Sequence, residues 1–328
     1  MLDFTILALE GAYPTSVAAT LGILVAAREM AQRVHAPAPT WELISLEGGT
    51  LALQDGISVS TAKLPRRTAG DHSMWIVPGL GLNSPRAIRD RFEQADAKTA
   101  VAAVRRHAQA GGSVAASCSG VFLLQAAGLL RGRRATTAWW LAPELKRLEP
   151  DCHVDADRMV CADGPVVTAG AAFAQTDLML HLLRTLSGKA LADAVSRVLI
   201  IDGRQAQAPF IVPEVFSIGD DLIGRLAARV EAALPDLPSV GDLAQEFCMS
   251  ERTLARHVKR ATGKSTLALL QSVRQRRARA LLESSRLTVE QVAAAVGYQD
   301  ATALRRLMRR VAGATPSRFR PAAATVMP

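Results

Sequence analysis

Cysteine is scarce in this sequence, and long uninterrupted apolar runs are missing. Only four of the 328 residues are cysteines, and their scattered positions match neither the paired spacing of a zinc site nor a disulfide framework. No window approaches the roughly 20 consecutive apolar residues that a membrane span needs. The N-terminus carries Asp3 where an export signal would carry basic residues. These features predict a cytoplasmic protein with reduced thiols and with no metal, cofactor or membrane partner.

Charge is distributed unevenly along the chain. The length suggests two domains of roughly 100 to 200 residues, and 49% apolar with 21% charged residues is ordinary globular composition. The net charge is +9, but residues 240–328 hold 16 Lys and Arg against 6 Asp and Glu, so the rest is almost neutral. A small basic domain beside a neutral one is expected where part of a protein meets phosphate. A merely solubilising basic surface is the alternative that charge alone leaves open.

Apolar runs of strand length alternate with helical stretches over the first 200 residues. Buried strands are predicted at 4–9, 41–46, 73–79, 113–117 and 166–170, and helices up to about residue 33, at 86–109 and at 172–186. This alternation predicts an α/β domain with a mostly parallel sheet flanked by helices, a flavodoxin-like sandwich. The periodicity then fades, and an all-α region begins with a helix at about 220–234. The predicted boundaries are a domain at 1–200, a linker at 201–218 and a second domain at 219–328.

Two helix-turn-helix units are predicted from an internal correspondence at a spacing of 50 residues. Leu243, Ser250, Leu254 and Arg256 recur as Ala293, Asp300, Leu304 and Arg306. Each copy has a short helix, a turn, a capping residue and a second helix, and in such units the second helix enters the major groove of DNA. We expect these reading helices at 251–261 and 301–311, with one stiff helix at 267–282 between the units.

The polar side of each reading helix supplies the candidate contacts to DNA. Arginine binds guanine edges in a bidentate manner or clamps phosphates, and sequence alone does not distinguish these roles. Gly297 is expected to permit the tight turn of the second unit. The candidate DNA-binding residues are Ser250, Arg252, Arg256, Lys259, Thr302, Arg305, Arg306 and Arg309.

These C-terminal residues resemble the DNA-binding domain of the AraC/XylS family. The resemblance rests on residues 250–256, 261–265, 274–282, 292–293 and 297–298, and on the closing Gly-x-x-Pro-x-x-Phe-Arg of residues 313–320. It implies two reading helices in successive major grooves on one face of the duplex, roughly 34 Å apart. Ala303, Leu307 and Met308 replace polar and aromatic residues of the family pattern, which leaves the base contacts of the second helix open.

A strand that ends at a cysteine is the main feature of the N-terminal domain. Residues 113–117 lead into Cys118, Ser119 and Gly120 and then into an apolar helix, which is a nucleophile-elbow pattern. Such a turn exposes its cysteine at the C-terminal edge of the sheet, beside a helix N-terminus that is expected to lower the thiol pKa. With residues 126–139, 168–170, 177–178 and 204–210, this region resembles the ThiJ/PfpI-type, class I glutamine amidotransferase-like domain of GlxA-type regulators.

Catalysis and ligand binding are the two uses open to this elbow. A cysteine nucleophile needs a base to take its proton. The resemblance places a histidine after the cysteine in enzymatic relatives, but here that residue is Ser119, and Ala138 stands where the regulators of this group carry another histidine. His153, His181 and the strand-end acid Glu10 remain as partners. We expect no catalytic residues, and a cysteine-dependent hydrolase or amidotransferase-like enzyme with a DNA-binding tail is the alternative.

A binding pocket is the favoured use of the elbow, because ligands of such folds bind in the crevice at the carboxyl edge of the sheet. The candidate pocket residues are Glu10, Cys118, Ser119 and Trp139, and the two tryptophans Trp139 and Trp140 either add an aromatic face or lie in the core. The resemblance implies a small-molecule effector, such as an amine or an amino-acid derivative, which an aromatic face would suit. The sequence therefore predicts a transcription regulator that binds double-stranded promoter or operator DNA as a homodimer. It would activate or repress by recruiting or blocking RNA polymerase.

Overall fold

The computed structural model describes residues 3–65, 70–204, 207, 221–262, 265–285, 287–312 and 315–316. The chain divides into two compact units, Met1–Gln207 and Ala208–Pro328. In the described part, no helix is long and apolar enough to cross a membrane. Most of the predicted linker and most of the closing residues 313–320 lie outside the described residues.

An eight-stranded sheet forms the centre of the first unit. Its strands and one separate short pair are β1 (Phe4–Leu7), β2 (Trp41–Ser45), β3 (Gly49–Ala52), β4 (Ser58–Lys63), β5 (Met74–Val77), β6 (Ser113–Ser117), β7 (Arg134–Ala135), β8 (His153–Val154), β9 (Val160–Asp163) and β10 (Val166–Ala169). The order is β3-β4-β2-β1-β5-β6-β10-β9, antiparallel only at its two ends, and β7 pairs with β8. The five strands predicted from the sequence are five of the six parallel strands, which confirms the α/β sandwich.

Helices cover both faces of this sheet. They are α1 (Pro14–Ala31), α2 (Pro85–Phe92), α3 (Ala95–Gln109), α4 (Val121–Ala126), α5 (Ala142–Leu148), α6 (Ala174–Leu186) and α7 (Lys189–Val198). Side chains of β5 alternate between the faces: Trp75 and Val77 pack with α2 to α5, whereas Met74 and Ile76 pack with α1, α6 and α7. Because both faces are covered, the central strands are continuous apolar runs rather than alternating ones.

Three elements differ from the sequence prediction. The single helix expected at 86–109 is two helices, because Gln94 is extended and the buried Arg91 donates two hydrogen bonds to Asp96 across the break. The β3–β4 hairpin and strand β9 have no counterpart in the prediction, since their residues are largely exposed or half-buried and form no apolar run. β4 extends the parallel strands beside β2, and β3 and β9 are the antiparallel edge strands of the sheet.

Two small helical cores form the second unit as far as it is described. Its helices are α8 (Asp221–Ala232), α9 (Val240–Glu246), α10 (Glu251–Thr262), α11 (Thr266–Ser284), α12 (Val289–Ala295) and α13 (Ala301–Ala312). One core packs α8, α9 and α10 against the first half of α11, and the other packs α12 and α13 against its second half. These helices confirm the predicted all-α domain with two helix-turn-helix units.

The caps show that the two units correspond at two spacings. Ser239 caps α9 and Thr288 caps α12, each through reciprocal hydrogen bonds with the third helical residue. Ser250 caps α10 and Asp300 caps α13 by accepting a backbone N–H three residues on. The supporting helices are therefore 49 positions apart, while the reading helices are 50 apart, as predicted.

The predicted equivalence of Leu243 with Ala293 is therefore wrong by one residue. Leu243 corresponds to Val292, and both side chains are fully buried. The turn residue with positive φ is Cys248 in the first unit and Gly297, at +79°, in the second. The second turn contains one additional residue between this position and the cap, which is why the spacing changes. The prediction that Gly297 permits the tight turn is confirmed.

His107 of α3 is a fully buried histidine of the first unit. It is 0% exposed, it stacks on the Trp75 indole at 4.6 Å between ring centroids, and its Nε2 lies 3.2 Å from the Ser113 carbonyl oxygen. Burial lowers the pKa of His107, although the Asp71 carboxylate, 3.7 Å from Nδ1, opposes this effect. The unfolded chain therefore binds a proton more readily at this position than the folded chain does.

We expect the first unit to lose stability as the pH falls below about 6.5, the ordinary pKa of histidine. A lowered folded pKa stabilises the unit above that value, and this stabilisation is lost as the pH falls toward the folded pKa. His107→Phe keeps an aromatic ring in the stack and removes the titrating group, so the stability of this variant should vary less with pH than that of wild type. Burial also lowers the pKa of His181, which contributes the same pH dependence to both proteins. All four tryptophans lie in the first unit, so urea unfolding followed by their fluorescence measures this. An identical pH dependence in both proteins would contradict the assignment.

Candidate nucleic-acid interface and ligand site

The first reading helix, α10, presents a cationic side away from its core. Leu254 and Val258 are fully buried on its inner side. Arg252, Arg256 and Lys259 are exposed, and among the described residues none of the three forms an ion pair. Three positive side chains of α10 are therefore available to an external polyanion.

Ser250 stands at the start of this helix as its N-cap. Its hydroxyl accepts a hydrogen bond from the Thr253 backbone N–H at 3.2 Å and lies 2.9 Å from the Thr253 hydroxyl. The cap fixes the first turn of α10 and so the direction of the helix. A hydroxyl that accepts from the backbone still carries its own O–H donor, so Ser250 can both cap the helix and contact a phosphate.

The second reading helix, α13, repeats the arrangement. Leu304, Leu307 and Met308 are buried, at 0%, 5% and 0% exposure. Two of the three departures from the family pattern, Leu307 and Met308, are therefore core residues that do not face DNA. Its base contacts depend on the exposed side alone.

The exposed side of α13 differs from that of α10 in its ion pairing. Arg305 donates to Glu290 at 2.9 Å, an exposed pair that ties α13 to α12. The pKa of the Asp300 cap is lowered, chiefly by its backbone hydrogen bonds and partly by the charge of Arg306. The four candidate contacts Thr302, Arg305, Arg306 and Arg309 are all exposed. Arg306 and Arg309 make no ion pair with any described residue, so these two are the cationic counterparts of the α10 side chains.

Arg274 of α11 fixes the second helix-turn-helix unit, a role that its sequence context did not reveal. Its Nε donates to the Val296 carbonyl oxygen at 2.8 Å, and its guanidinium also donates to the Gly297 carbonyl. The same group lies 3.6 Å above the Tyr298 ring centroid, and the Tyr298 hydroxyl donates to Gln271 at 2.7 Å. The sequence shows only four arginines within six residues of one helix, which gives no sign that one of them faces inward.

The cysteine turn of the first unit has the predicted elbow geometry. Cys118 follows β6 directly with φ +53°, a conformation that few non-glycine residues adopt, and α4 starts three residues later. A side-chain carbon on Gly120 would come within 2.6 Å of the Pro78 carbonyl oxygen, so only glycine fits there. The elbow is therefore confirmed as a strained strand-to-helix turn at the carboxyl edge of the sheet.

Ser119 is used to hold the neighbouring loop. It is 0% exposed, and its hydroxyl oxygen accepts hydrogen bonds from the backbone N–H groups of Leu80 at 3.0 Å and Leu82 at 3.2 Å. These bonds tie the loop after β5 to the elbow. In this conformation Ser119 supports the edge of the sheet from within rather than presenting its side chain to a ligand.

Trp139 lies in the core rather than in an open pocket. It is 8% exposed and packs edge-to-face with Trp140 at 5.5 Å between ring centroids. Of the two candidate bases, His153 is exposed on β8, and burial lowers the pKa of His181 on α6. Within the described part, no hydrogen bond joins either imidazole to the Cys118 thiol.

Glu10 lines a cavity of about 420 Å³ at the carboxyl ends of β1 and β2. The other lining residues come from the ends of these strands, from β3 and from the start of α3: Ala8, Leu9, Ser45, Leu46, Glu47, Gly48, Thr50, Leu51, Ala95, Asp96 and Thr99. Cys118, Ser119 and Trp139 are not among them. The structure therefore separates the four predicted pocket residues into a packed elbow and an open cavity.

The carboxylates of this cavity differ in their pairing. Glu47 pairs with Lys63 at 2.6 Å, and the Lys63 hydrogen bond lowers the pKa of Glu47. Asp96 pairs with Arg91 at 2.6 Å. Glu10 is exposed, and its carboxylate forms no ion pair with any described residue, although its backbone carbonyl oxygen accepts a hydrogen bond from Arg91 at 3.4 Å. One unpaired negative charge therefore remains at the rim, beside the apolar side chains of the cavity wall.

Comparison with known proteins identifies both units. A helix-turn-helix domain model matches residues 243–322, and a DJ-1/PfpI family model matches residues 38–185. The chain is 26% identical to the HTH-type transcriptional regulator GlxA of Rhizobium meliloti over 287 residues, which cover 86% of each protein. It is 28% identical to the HTH-type transcriptional regulator CdhR of Pseudomonas aeruginosa over 299 residues, 89% of this chain and 84% of that one. A DJ-1/PfpI domain joined to an AraC-type helix-turn-helix domain matches the GlxA-type regulators.

A solved structure supports the fold of the first unit. The crystal structure of an AraC family transcriptional regulator from Pseudomonas putida superimposes with a TM-score of 0.52 at 19% identity, covering 61% of this chain and all of that one. Among the described residues, no cluster of three or more His, Cys, Asp or Glu side chains has the arrangement of a metal site.

The expectation that the elbow lowers the thiol pKa is wrong for this chain. Burial raises the pKa of Cys118 to about 11, against smaller opposite effects of the Ser119 backbone and hydroxyl hydrogen bonds. Cys118 is 5% exposed and packs in an apolar cluster, so loss of solvation outweighs the favourable helix terminus. A thiol in this state is a poor nucleophile at neutral pH.

Alkylation of Cys118 should therefore accelerate about tenfold per pH unit between about pH 7 and pH 9, because the thiolate fraction rises in that proportion below the pKa. Peptide mass spectrometry after iodoacetamide treatment gives the rate for each cysteine separately. The exposed Cys248 should react much faster at every pH. A Cys118 rate that levels off near neutral pH would indicate an activated thiolate and would reopen the enzymatic alternative.

Proposed function

We propose that this GlxA-type regulator binds promoter DNA by placing α10 and α13 in successive major grooves, about 34 Å apart. The observation that supports this most directly is the pair of exposed cationic helix sides, each held by its own apolar core and linked through α11. Arg252, Arg256 and Lys259 face the first groove, and Thr302 with the α13 arginines faces the second. Ser250 adds a hydroxyl at the start of α10.

Charge and geometry contribute different parts of this binding. The 16 Lys and Arg of residues 240–328 neutralise phosphates and release counterions, which gives affinity without sequence preference. Arginines on a helix within the groove then distinguish base pairs through paired hydrogen bonds to guanine. Two reading helices fixed to one connecting helix add a spacing requirement between the two recognised elements, and this spacing contributes to specificity.

The first unit acts in this proposal as a sensor without turnover. Catalysis by Cys118 needs a base that takes its proton, and the described residues offer neither an imidazole bonded to the thiol nor a lowered pKa. GlxA and CdhR, which match 86% and 89% of this chain, are named as transcriptional regulators. In this proposal the elbow is a structural feature of the sheet edge and not a catalytic site.

The effector site of this proposal is the cavity that Glu10 lines. Its volume of about 420 Å³ suits a small metabolite, and it lies outside the carboxyl ends of parallel strands, where such folds receive ligands. The unpaired carboxylate of Glu10 favours a small amine. Cys118, Ser119 and Trp139 do not touch the ligand in this proposal. They are packed residues at the same edge of the sheet, and they transmit the conformational change that ligand binding causes.

Two further parts of the proposal concern assembly. A homodimer presents four reading helices to paired operator sites, which raises the effective concentration of the second monomer once the first has bound. The bound dimer, working in the cytoplasm, then recruits or blocks RNA polymerase.

The experiment that tests the DNA proposal selects binding sites for the full-length protein from random duplexes at physiological salt. We expect a motif of two elements about one helical turn apart, bound at least about a thousandfold more tightly than a scrambled duplex. Equal affinity for both duplexes, set only by the salt concentration, would reduce the arginines to a nonspecific phosphate surface and contradict the proposal.

The selected operator then tests the effector site. Small amines are screened for those that change operator affinity, and each one is compared between wild type, Glu10→Gln and the control Glu29→Gln, which alters an exposed glutamate on α1. We expect Glu10→Gln to weaken the response and the control to leave it unchanged. An amine whose effect is the same in all three proteins would place its site elsewhere.

A further inference from the structure

Gln207 is a buried residue at the point where the chain leaves the first unit. It is 2% exposed, and the second unit begins at the next residue. Its backbone N–H donates to the Asp157 carbonyl oxygen at 2.7 Å, and its Nε2 donates to the carbonyl oxygens of Thr137 and Arg158 at 2.9 and 3.0 Å. Residues of connecting segments are normally exposed, so the burial of this amide points to a specific role.

Four hydrogen bonds join this side chain to both backbone polar groups of Cys118 in a closed circuit, which we call the Gln207 ring. The Cys118 N–H donates to the Gly170 carbonyl oxygen at 2.7 Å. The peptide group that carries this oxygen also carries the Ala171 N–H, which donates to Gln207 Oε1 at 3.0 Å. On the other side, Gln207 Nε2 donates to the Thr137 carbonyl oxygen at 2.9 Å, and the Thr137 hydroxyl donates to the Cys118 carbonyl oxygen at 2.7 Å. The elbow and the end of the first unit are two hydrogen bonds apart in either direction.

The position accepts glutamine specifically. Three backbone carbonyl oxygens surround Nε2 while a backbone N–H faces Oε1, so a reversed amide or a carboxylate would set like groups against each other. Gly170 provides the space, since a side-chain carbon there would overlap the Gln207 amide. Loss of the amide would leave the Ala171 N–H without its partner and would remove one hydrogen bond from each of these carbonyl oxygens, which is costly in an interior.

A second contact holds the chain just before Gln207. The Arg204 guanidinium pairs at 2.6 Å with Asp177, whose carboxylate is 2% exposed, and the Arg204 backbone N–H donates to the same group at 2.6 Å. Arg204 is thereby fixed to α6, and Gln207 is fixed beneath the elbow. The chain consequently leaves the first unit from a defined point.

We propose that the Gln207 ring couples the conformation of the Cys118 elbow to DNA binding by the second unit. The inference rests on the proposed function, because it states how the sensor domain acts on the DNA-binding domain. Any shift of the elbow peptide turns the N–H and C=O of Cys118 away from the ring. Hydrogen bonds in such circuits reinforce one another, so the ring opens as a whole and releases the exit point of the chain. The closed and open rings are the two states whose balance a ligand at this edge and operator DNA both shift.

Reciprocity provides a test that needs no effector. If elbow opening changes operator affinity, then operator DNA must change elbow opening by the same factor. Cys118 is 5% exposed, so its alkylation by iodoacetamide in the full-length protein reports that opening. We expect the selected operator duplex to change the Cys118 rate about fivefold or more in wild type and less than about twofold in Gln207→Ala. Gln109→Ala alters an exposed glutamine at the end of α3 and should behave as wild type.

Two results would overturn the inference. One is a Cys118 alkylation rate that the operator duplex leaves unchanged in wild-type protein that binds it, and the other is a wild-type change of this rate in Gln207→Ala. A wild-type protein that selects no sequence would contradict the proposed function instead. The buried Cys152 and Cys161 report general unfolding of the same unit. If their rates also rise in Gln207→Ala, Thr137→Val replaces it, since this variant removes only the ring bond to the Cys118 carbonyl and should likewise abolish the response.

Discussion

Replacing Arg256 or Arg306 by alanine should weaken binding to the selected operator by about five- to 150-fold each, the range for loss of one bidentate base contact. Both side chains are exposed at equivalent positions of α10 and α13, on the sides opposite Leu254 and Leu304. Their removal leaves both apolar cores intact. The loss therefore measures contact with DNA rather than stability of the helix, and far-UV circular dichroism should be unchanged.

The control for these variants is Arg106→Ala, which removes an exposed arginine of α3 in the first unit and the same unit of charge. Operator and scrambled duplexes are titrated with each protein over a salt series. Loss of a base contact weakens binding to the operator selectively. Loss of a phosphate contact weakens binding to both duplexes and reduces the salt slope by about one. Binding equal to that of Arg106→Ala in both variants would remove α10 and α13 from the interface.

The combined effect of the two substitutions tests the two-groove arrangement. Arg256 and Arg306 belong to separate cores, so their free-energy effects should add if each helix occupies its own groove. If one substitution abolishes the effect of the other, the two side chains act at a single site. Such a result would be incompatible with two reading helices spaced along the duplex.

The parts of this fold that sequence predicts are those with a strong local signal. The five central strands are continuous apolar runs, and both reading helices have a cap followed by leucine at helical spacing. The elbow is also local, because a cysteine with φ +53° and a glycine that meets the Pro78 carbonyl follow one strand directly. The flanking β3–β4 hairpin has half-exposed polar strands and depends on pairing with the sheet, so no such signal precedes it.

The parts that sequence misses depend on residues brought together from distant positions. The thiol pKa of Cys118 has the opposite sign from the expectation, because a helix terminus is visible in the sequence while burial by other elements is not. Gln207 stands in a stretch without periodicity that looks like a linker, yet its partners lie between 36 and 71 residues away. Glu10 and Cys118 both follow parallel strands, but only the three-dimensional structure shows that they serve different places on that edge.

Gly297→Ala should strongly destabilise the second helix-turn-helix unit, with a loss of about 3 kcal/mol or more in local stability. The residue has φ +79°, which costs any other residue about 1 to 2 kcal/mol. A side-chain carbon would in addition overlap the Pro235 carbonyl oxygen, a backbone atom that has no freedom to rotate away. The turn must then move, and the Arg274 hydrogen bonds to Val296 and Gly297 break with it.

Gly128→Ala separates these two causes. Gly128 also has a positive φ, +75°, but a side-chain carbon there meets nothing within 4 Å, so only the dihedral cost of about 1 to 2 kcal/mol applies. Hydrogen exchange of the α12 and α13 amides measures the local stability, and operator affinity measures the consequence for DNA binding. In Gly297→Ala we expect faster exchange in these helices and unchanged exchange in α9 and α10. We also expect the protein to lose recognition of the second element of the DNA motif, because α13 no longer keeps its position against α11. If Gly297→Ala costs no more than Gly128→Ala, the turn has room to adjust, and the contact between Arg274 and the second unit does not set the position of the reading helix.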